Sequence, residues 1–140
     1  MIVTDSSRLI QLLKDTRTIA VVGLSTSPYR ASNGVAAYLM RQGYTIIPVN
    51  PNYDEVLGLK CYPSLRDIPG PVDMVDVFRN PAEVMPIVED AIAIGAKSIW
   101  FQLDVINEEA IARADQAGLL VVVDRCLKVE HSIHRAALAS

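Results

Sequence analysis

Five short runs dense in valine and isoleucine recur along this chain, and stretches with helical spacing separate them. They cover residues 18–23, 45–49, 74–78, 98–102 and 119–124. Their near-continuous apolar character is that of strands covered on both faces, as in a parallel sheet, rather than the in-out alternation of a half-exposed one. Strand, helix, strand with short connections forces right-handed crossovers and layers of helix on either side of the sheet. The expected fold is therefore α/β, a three-layer, Rossmann-like, doubly wound parallel sheet. A short extra strand at 59–62 is the third in chain order, and the expected strand order is 3-2-1-4-5-6. At 140 residues the chain suits one domain, residues 1–140, with a full core.

Local signals mark the helices. Leu9, Leu12 and Leu13 fall on one face of an opening helix, after polar starters at Asp5 to Ser7. Asn80-Pro81-Ala82-Glu83 offers an N-cap amide, a proline at the first helical position and a glutamate placed to reach back. Pro86 either kinks that helix or lies in its first turns. Asn107-Glu108-Glu109 is a second cap, with acids in the first turn. Gly43, Gly95 and Gly118 each close a helical run before a strand.

In such a fold the ligand crevice opens outside the carboxyl ends of the strands at the topological switch, here between the first strand and the one at 74–78. The first strand ends at Gly23, which permits a sharp turn, and a helix beginning near Ser32 would point its free amides at the crevice. Gly23, Ser25, Ser27 and the planar cation Arg30 form a set suited to a diphosphate. Only one glycine stands in the turn, so it also reads as a plain strand-to-helix turn with capping serines. The second strand ends in Asn50-Pro51-Asn52, where a nicotinamide dinucleotide site carries an acid for the ribose hydroxyl. A neutral amide there suits a nucleotide with an additional phosphate, which an acid would repel, and Pro51 offers an apolar face to an adenine. The same tripeptide also serves as a turn. Phe78 and Arg79 follow the next strand. Arg79 either binds phosphate or pairs with Asp76 or Glu83. Trp100 and Phe101 read as core, and Gln102 as a contact for the arm of a long ligand.

Several function classes are disfavoured. A net charge of −3 argues against a nucleic-acid partner. No apolar run approaches the roughly 20 residues of a bilayer span, so no membrane partner is expected. Two cysteines, Cys61 and Cys126, make no disulfide framework, and the start lacks the pattern of a secretory signal, so a cytoplasmic location is expected. Cys126 and His131 suggest a nucleophile and base acting on a thioester. His131, His134 and Glu130 form too sparse a set for a metal. A structural C-terminal helix accounts for all of them, with Asp124 and Arg125 as an ion pair fixing the tail, or with Arg125 reaching the ligand.

Taken in order, V-V-G-L-S, R-A-S, V-N-P-N, L-G-L-K-C-Y-P-S-L, V-D-V-F-R, N-E-E-A and V-V-D-R-C resemble the small bacterial CoA-binding proteins. These are similar to a free-standing CoA-binding domain of the succinyl-CoA synthetase alpha subunit. The resemblance covers nearly the whole chain and implies a Rossmann-like fold binding CoA or an acyl-CoA. It assigns the phosphate contacts to Gly23, Leu24 and Ser25, and the adenine side to Val49, Asn50 and Pro51. Phe78 and Arg79, with Gln102 beyond, fall on the pantetheine side. Arg30 and Ser27 rest on the phosphate argument alone. The synthetase's phosphorylated histidine belongs to a later domain outside the match, so ligand binding carries over and ligase chemistry does not. The first expectation is a non-catalytic module that binds CoA or a CoA thioester as sensor, carrier or regulatory subunit. The alternatives are an NAD(P)-dependent oxidoreductase-like protein and a thioester enzyme using Cys126. A homodimer through an apolar face of the first helix, or docking on a larger enzyme, stays open.

Overall fold

The computed structural model describes residues 1–140. Its elements in chain order are α1 (Ser6–Asp15), β1 (Thr18–Val22), α2 (Ala31–Arg41), β2 (Thr45–Val49), β3 (Glu55–Val56), β4 (Leu59–Lys60), β5 (Met74–Val77), α3 (Val84–Ala93), β6 (Ser98–Phe101), α4 (Glu108–Gln116), β7 (Leu120–Val123), α5 (Leu127–Ile133) and α6 (Arg135–Leu138). The main sheet is parallel throughout, in the order β2-β1-β5-β6-β7. No helix is long and apolar enough to cross a membrane.

Side chains alternate across a strand, and the two faces of the sheet build two cores. Ala20, Val22, Val75, Val77, Ile99 and Phe101 meet Val84, Val88 and Ala91 of α3 and Ala110, Ile111 and Ala114 of α4. Ile19, Val21, Met74, Trp100 and Val122 meet α1, α2 and α5 on the opposite face. Trp100 and Phe101 are fully buried, one in each core, and the Trp100 indole N–H donates to the Arg125 carbonyl at 2.8 Å. Leu9, Leu12 and Leu13 of α1 are buried against this second core. The apolar face of the first helix is thus packed inside the domain rather than exposed.

The five long strands take the expected order. The sixth position, next to β2, differs: β3 and β4 instead form a two-stranded antiparallel hairpin. Leu57 and Gly58, both at positive φ, turn the chain there. Only Tyr62 reaches the sheet edge, as a single bridge to Val49, donating to the Pro48 carbonyl at 3.0 Å and accepting from the Asn50 N–H at 2.9 Å. Pro48 is tolerated because β2 is the edge strand of the main sheet.

The helix ends marked in the sequence follow local chemistry with one exception. Asp5 caps α1 through the Arg8 N–H, and Asn107 caps α4 through the Ala110 N–H. Gly43, Gly95 and Gly118 all take positive φ. The Asn80 side chain makes no cap, however: Pro81–Glu83 winds as a 3-10 turn before α3 begins at Val84. Glu83 does not reach back to the backbone but pairs with Arg79. Pro86 lies in the first turn of α3, where its missing N–H removes no hydrogen bond.

Candidate functional site

β1 is flanked by β2 on one side and β5 on the other, so the chain crosses over in opposite directions from this pair. The helix after β1 covers one face and the helix after β5 the other. The loops leaving the two strands diverge and leave a crevice between them. Gly23 forms its floor. Its N–H donates to the Val49 carbonyl at 2.9 Å, its φ is +85°, and a Cβ there would lie 2.2 Å from the Phe78 carbonyl oxygen. Only glycine lets the β1 and β5 loops approach this closely.

From Gly23 the chain enters a loop held by its own hydroxyls. The Ser25 N–H donates to Ser32 Oγ at 3.0 Å, and the Ser27 N–H to Ser25 Oγ at 3.0 Å. The Asn33 side-chain amide donates to the Ser25 carbonyl at 2.9 Å. Ser25 and Ser32 accept in these bonds, so each hydroxyl proton stays free to be donated. The helix that follows has Arg30 at its N-cap and no side-chain cap. The first intrahelical bond is from the Gly34 N–H to the Arg30 carbonyl, and the N–H groups of Ala31, Ser32 and Asn33 have no acceptor in the protein. Uncapped amides at the positive end of an 11-residue helix favour an anion.

Two cavities meet here. The larger, of about 480 Å³, is polar. It is lined from the β1 loop by Gly23, Ser25, Arg30, Ala31 and Ser32, from β2 by Asn50 and Tyr53, and from the β5 loop by Phe78, Arg79, Asn80 and Glu83, with Val105 beyond. The smaller, of about 230 Å³, is mainly apolar and runs under the tips of β1 and β2. Its walls include Val22, Val49, Pro51, Pro63, Leu65, Pro86 and Ile87, and it shares Gly23, Arg79 and Glu83 with the first. Arg30 has no ion-pair partner, whereas Arg79 Nη2 lies 2.8 Å from Glu83 Oε2.

Of the residues the sequence singles out, Gly23, Ser25, Arg30, Asn50, Phe78 and Arg79 line the polar cavity, and Val49 and Pro51 the apolar one. Leu24, Ser27 and Gln102 reach neither. The Leu24 side chain is fully buried in the α2-side core. Ser27 Oγ accepts from the Tyr29 N–H at 3.4 Å within the loop. The Gln102 amide turns inward and donates to Asp76 Oδ1 at 2.6 Å. Asn50 is also more occupied than its position suggests: it donates to the Leu24 carbonyl at 3.2 Å and accepts from the Asn52 N–H at 3.0 Å, locking the two loops together. Ser32, Tyr53, Glu83 and Val105 join the site without having been singled out for it. The only usable signal was for Ser32, at the start of the helix.

Asp76 is fully buried beside this edge, and its Oδ2 has no hydrogen-bond partner. Burial pushes its carboxyl up to about 7, against the opposing pull of the Gln102 hydrogen bond. Arg79 pairs with Glu83 and not with Asp76. At the C-terminal end, His131 is buried with Nδ1 2.8 Å from the Tyr38 hydroxyl, and burial lowers its basicity. His131 makes no hydrogen bond to Cys126, which is half-buried at the N-cap of α5. Arg125 pairs with Glu130 at 3.5 Å and donates to the Thr4 carbonyl. The Asp124 carboxylate instead accepts from the Asp104 N–H at 2.8 Å, so the expected Asp124–Arg125 ion pair does not form.

Residues 17–132 match the CoA binding domain family. The chain is 41% identical over 123 residues to the uncharacterized protein YneT of Bacillus subtilis, an alignment covering 88% of this chain and 91% of that one. It is similar in structure to a hypothetical protein from Pyrococcus horikoshii, with a TM-score of 0.91 and 45% identity over 93% of this chain and 92% of that one. It is 30% identical over 122 residues to the ADP-forming acetate–CoA ligase I of Archaeoglobus fulgidus. That match takes in 79% of this chain but 18% of the ligase, so the chain spans under a fifth of that enzyme's length.

Proposed function

The chain belongs to the CoA binding domain family, and we propose that it binds coenzyme A or an acyl-CoA in the paired cavities at the β1–β5 switch. The observation that carries this reading is the uncapped start of α2. Its free amides at Ala31, Ser32 and Asn33 open beside a turn that admits no side chain at Gly23. A diphosphate placed there would receive backbone amides, two serine hydroxyls and Arg30. The apolar cavity, with Pro51 in its wall, offers an adenine a dry surface. The pantetheine arm then leaves along Phe78 and Val105.

A nicotinamide dinucleotide is the weaker candidate. Asn50 spends its amide on Leu24 and Asn52, and the only acid lining the polar cavity is Glu83, which is bound to Arg79. A thioester enzyme built on Cys126 is also weaker, because His131 faces Tyr38 and neither residue lines the paired cavities. The role is that of a binding module, acting as sensor, carrier or regulatory subunit. Calorimetric titration with CoA, acetyl-CoA and NADPH tests the reading: CoA species bind and NADPH does not. Tight NADPH binding with no response to CoA would reverse it.

A further inference from the structure

Gly23, Arg79 and Glu83 line both cavities, so together they are the partition between the polar and apolar lobes. The Arg79 side chain lies across Gly23, with its Cδ 3.1 Å from where a Cβ on that glycine would be. Its guanidinium turns to Glu83, four residues on, across the 3-10 turn Pro81–Glu83. Both side chains are substantially exposed, at 36% and 48%. An exposed pair of this kind is weak and readily exchanged. Glu83 is also out of place in a cavity otherwise furnished for an anion: an unpaired carboxylate there would repel a phosphate. Its negative charge is held in check by Arg79 alone.

We propose that the Arg79–Glu83 pair is an exchangeable latch, and that Glu83 sets the affinity of the site. A phosphoryl group arriving over Gly23 takes Arg79 from Glu83, which swings out to solvent and opens the way between the lobes. A planar guanidinium bonds two phosphate oxygens better than it bonds one exposed carboxylate, so the exchange runs forward only when a phosphate is present. The ligand class this selects carries a diphosphate at the glycine turn and an aromatic base in the apolar lobe. Free base or free pantetheine leaves the latch shut. Arg79 is a binding residue here, and Glu83 acts through it. The inference rests on the CoA reading above and goes further by making an acid in the cavity a determinant of that binding.

The test is a double-mutant cycle by calorimetry with CoA, using the full chain, Glu83→Gln, Arg79→Gln and the double variant. Both substitutions sit on exposed side chains, and matching melting curves of the four proteins serve as the control for folding. Glu83→Gln removes the competitor and tightens CoA binding by about two- to fivefold. Arg79→Gln weakens it by roughly tenfold. In the Arg79→Gln background, Glu83→Gln brings a smaller gain, because no latch is left to release and only the repulsion between an unpaired carboxylate and the phosphate is relieved. Tightening by Glu83→Gln that is as large or larger without Arg79 than with it would mean simple repulsion, and unchanged binding in Glu83→Gln would mean no role at all; either overturns the latch while CoA binding stands. Failure of all four proteins to bind CoA would remove the underlying reading itself.

Discussion

Asp76 is the residue whose chemistry fits its surroundings least. It occupies the middle of the sheet with one carboxylate oxygen on Gln102 and the other unpartnered. Burial raises its pKa in the folded protein to about 7, whereas an unfolded aspartate titrates near 4. The native state therefore holds the proton more tightly than the unfolded one. This stabilising contribution is complete below about pH 4 and is lost as pH rises through about 7. Asp76→Asn keeps an acceptor-and-donor side chain of the same shape but cannot ionise. Thermal melts of the two proteins across pH 4 to 8 should nearly coincide at the acid end and diverge as pH rises, with the variant the more stable. Parallel curves across that range would show that Asp76 does not titrate where its burial says it must.

At the scale of elements, the site depends on how α4 is tied to the turn before α3. The Asn107 side chain caps α4 at the Ala110 N–H and also donates to the Pro81 carbonyl at 2.8 Å, in the turn that carries Glu83. Asn107→Ala loses both bonds and should cost about 1–2 kcal/mol in denaturant unfolding. Asn107→Asp restores the cap but not the donor to Pro81, and should fall between; a loss under about 0.5 kcal/mol for the alanine variant would demote the cap to ornament. Asn107 was legible in the sequence because capping is local. Asn80 misled for the complementary reason: the pattern there is that of a capping box, but the nearest cation to Glu83 is Arg79, and charge pairing won over the backbone. The same distinction separates strands from edges. Five apolar runs announced β1, β2, β5, β6 and β7, whereas the segment at 59–62 was diverted by a turn at Leu57 and Gly58 that composition does not distinguish from a loop. In the site, Gly23 and Arg79 were visible because each is an odd residue at a strand end. The free amides of α2 and the inward turn of Gln102 were not, since both follow from which partners the tertiary packing supplies.

Seen as a whole, the molecule is two cores back to back on one sheet, with α1, α2 and α5 over one and α3 and α4 over the other. The crevice is where the loops of the two layers part, so a ligand spanning both cavities touches the β1–α2 loop of one layer and the β5–α3 loop of the other. Such a ligand resists global unfolding, because neither layer can open without releasing it. At 100 times its dissociation constant, bound CoA should add about 2.7 kcal/mol, which for a domain of this size raises the melting temperature by roughly 5–10 °C. Hydrogen exchange locates the effect. Amides at 23–33 and 78–84, one set from each layer, should both gain protection with CoA, and the segment around Cys126 and His131 should not. Protection confined to one of the two loops would mean that the ligand occupies a single lobe, and protection near Cys126 alone would move the site to the far end of β7.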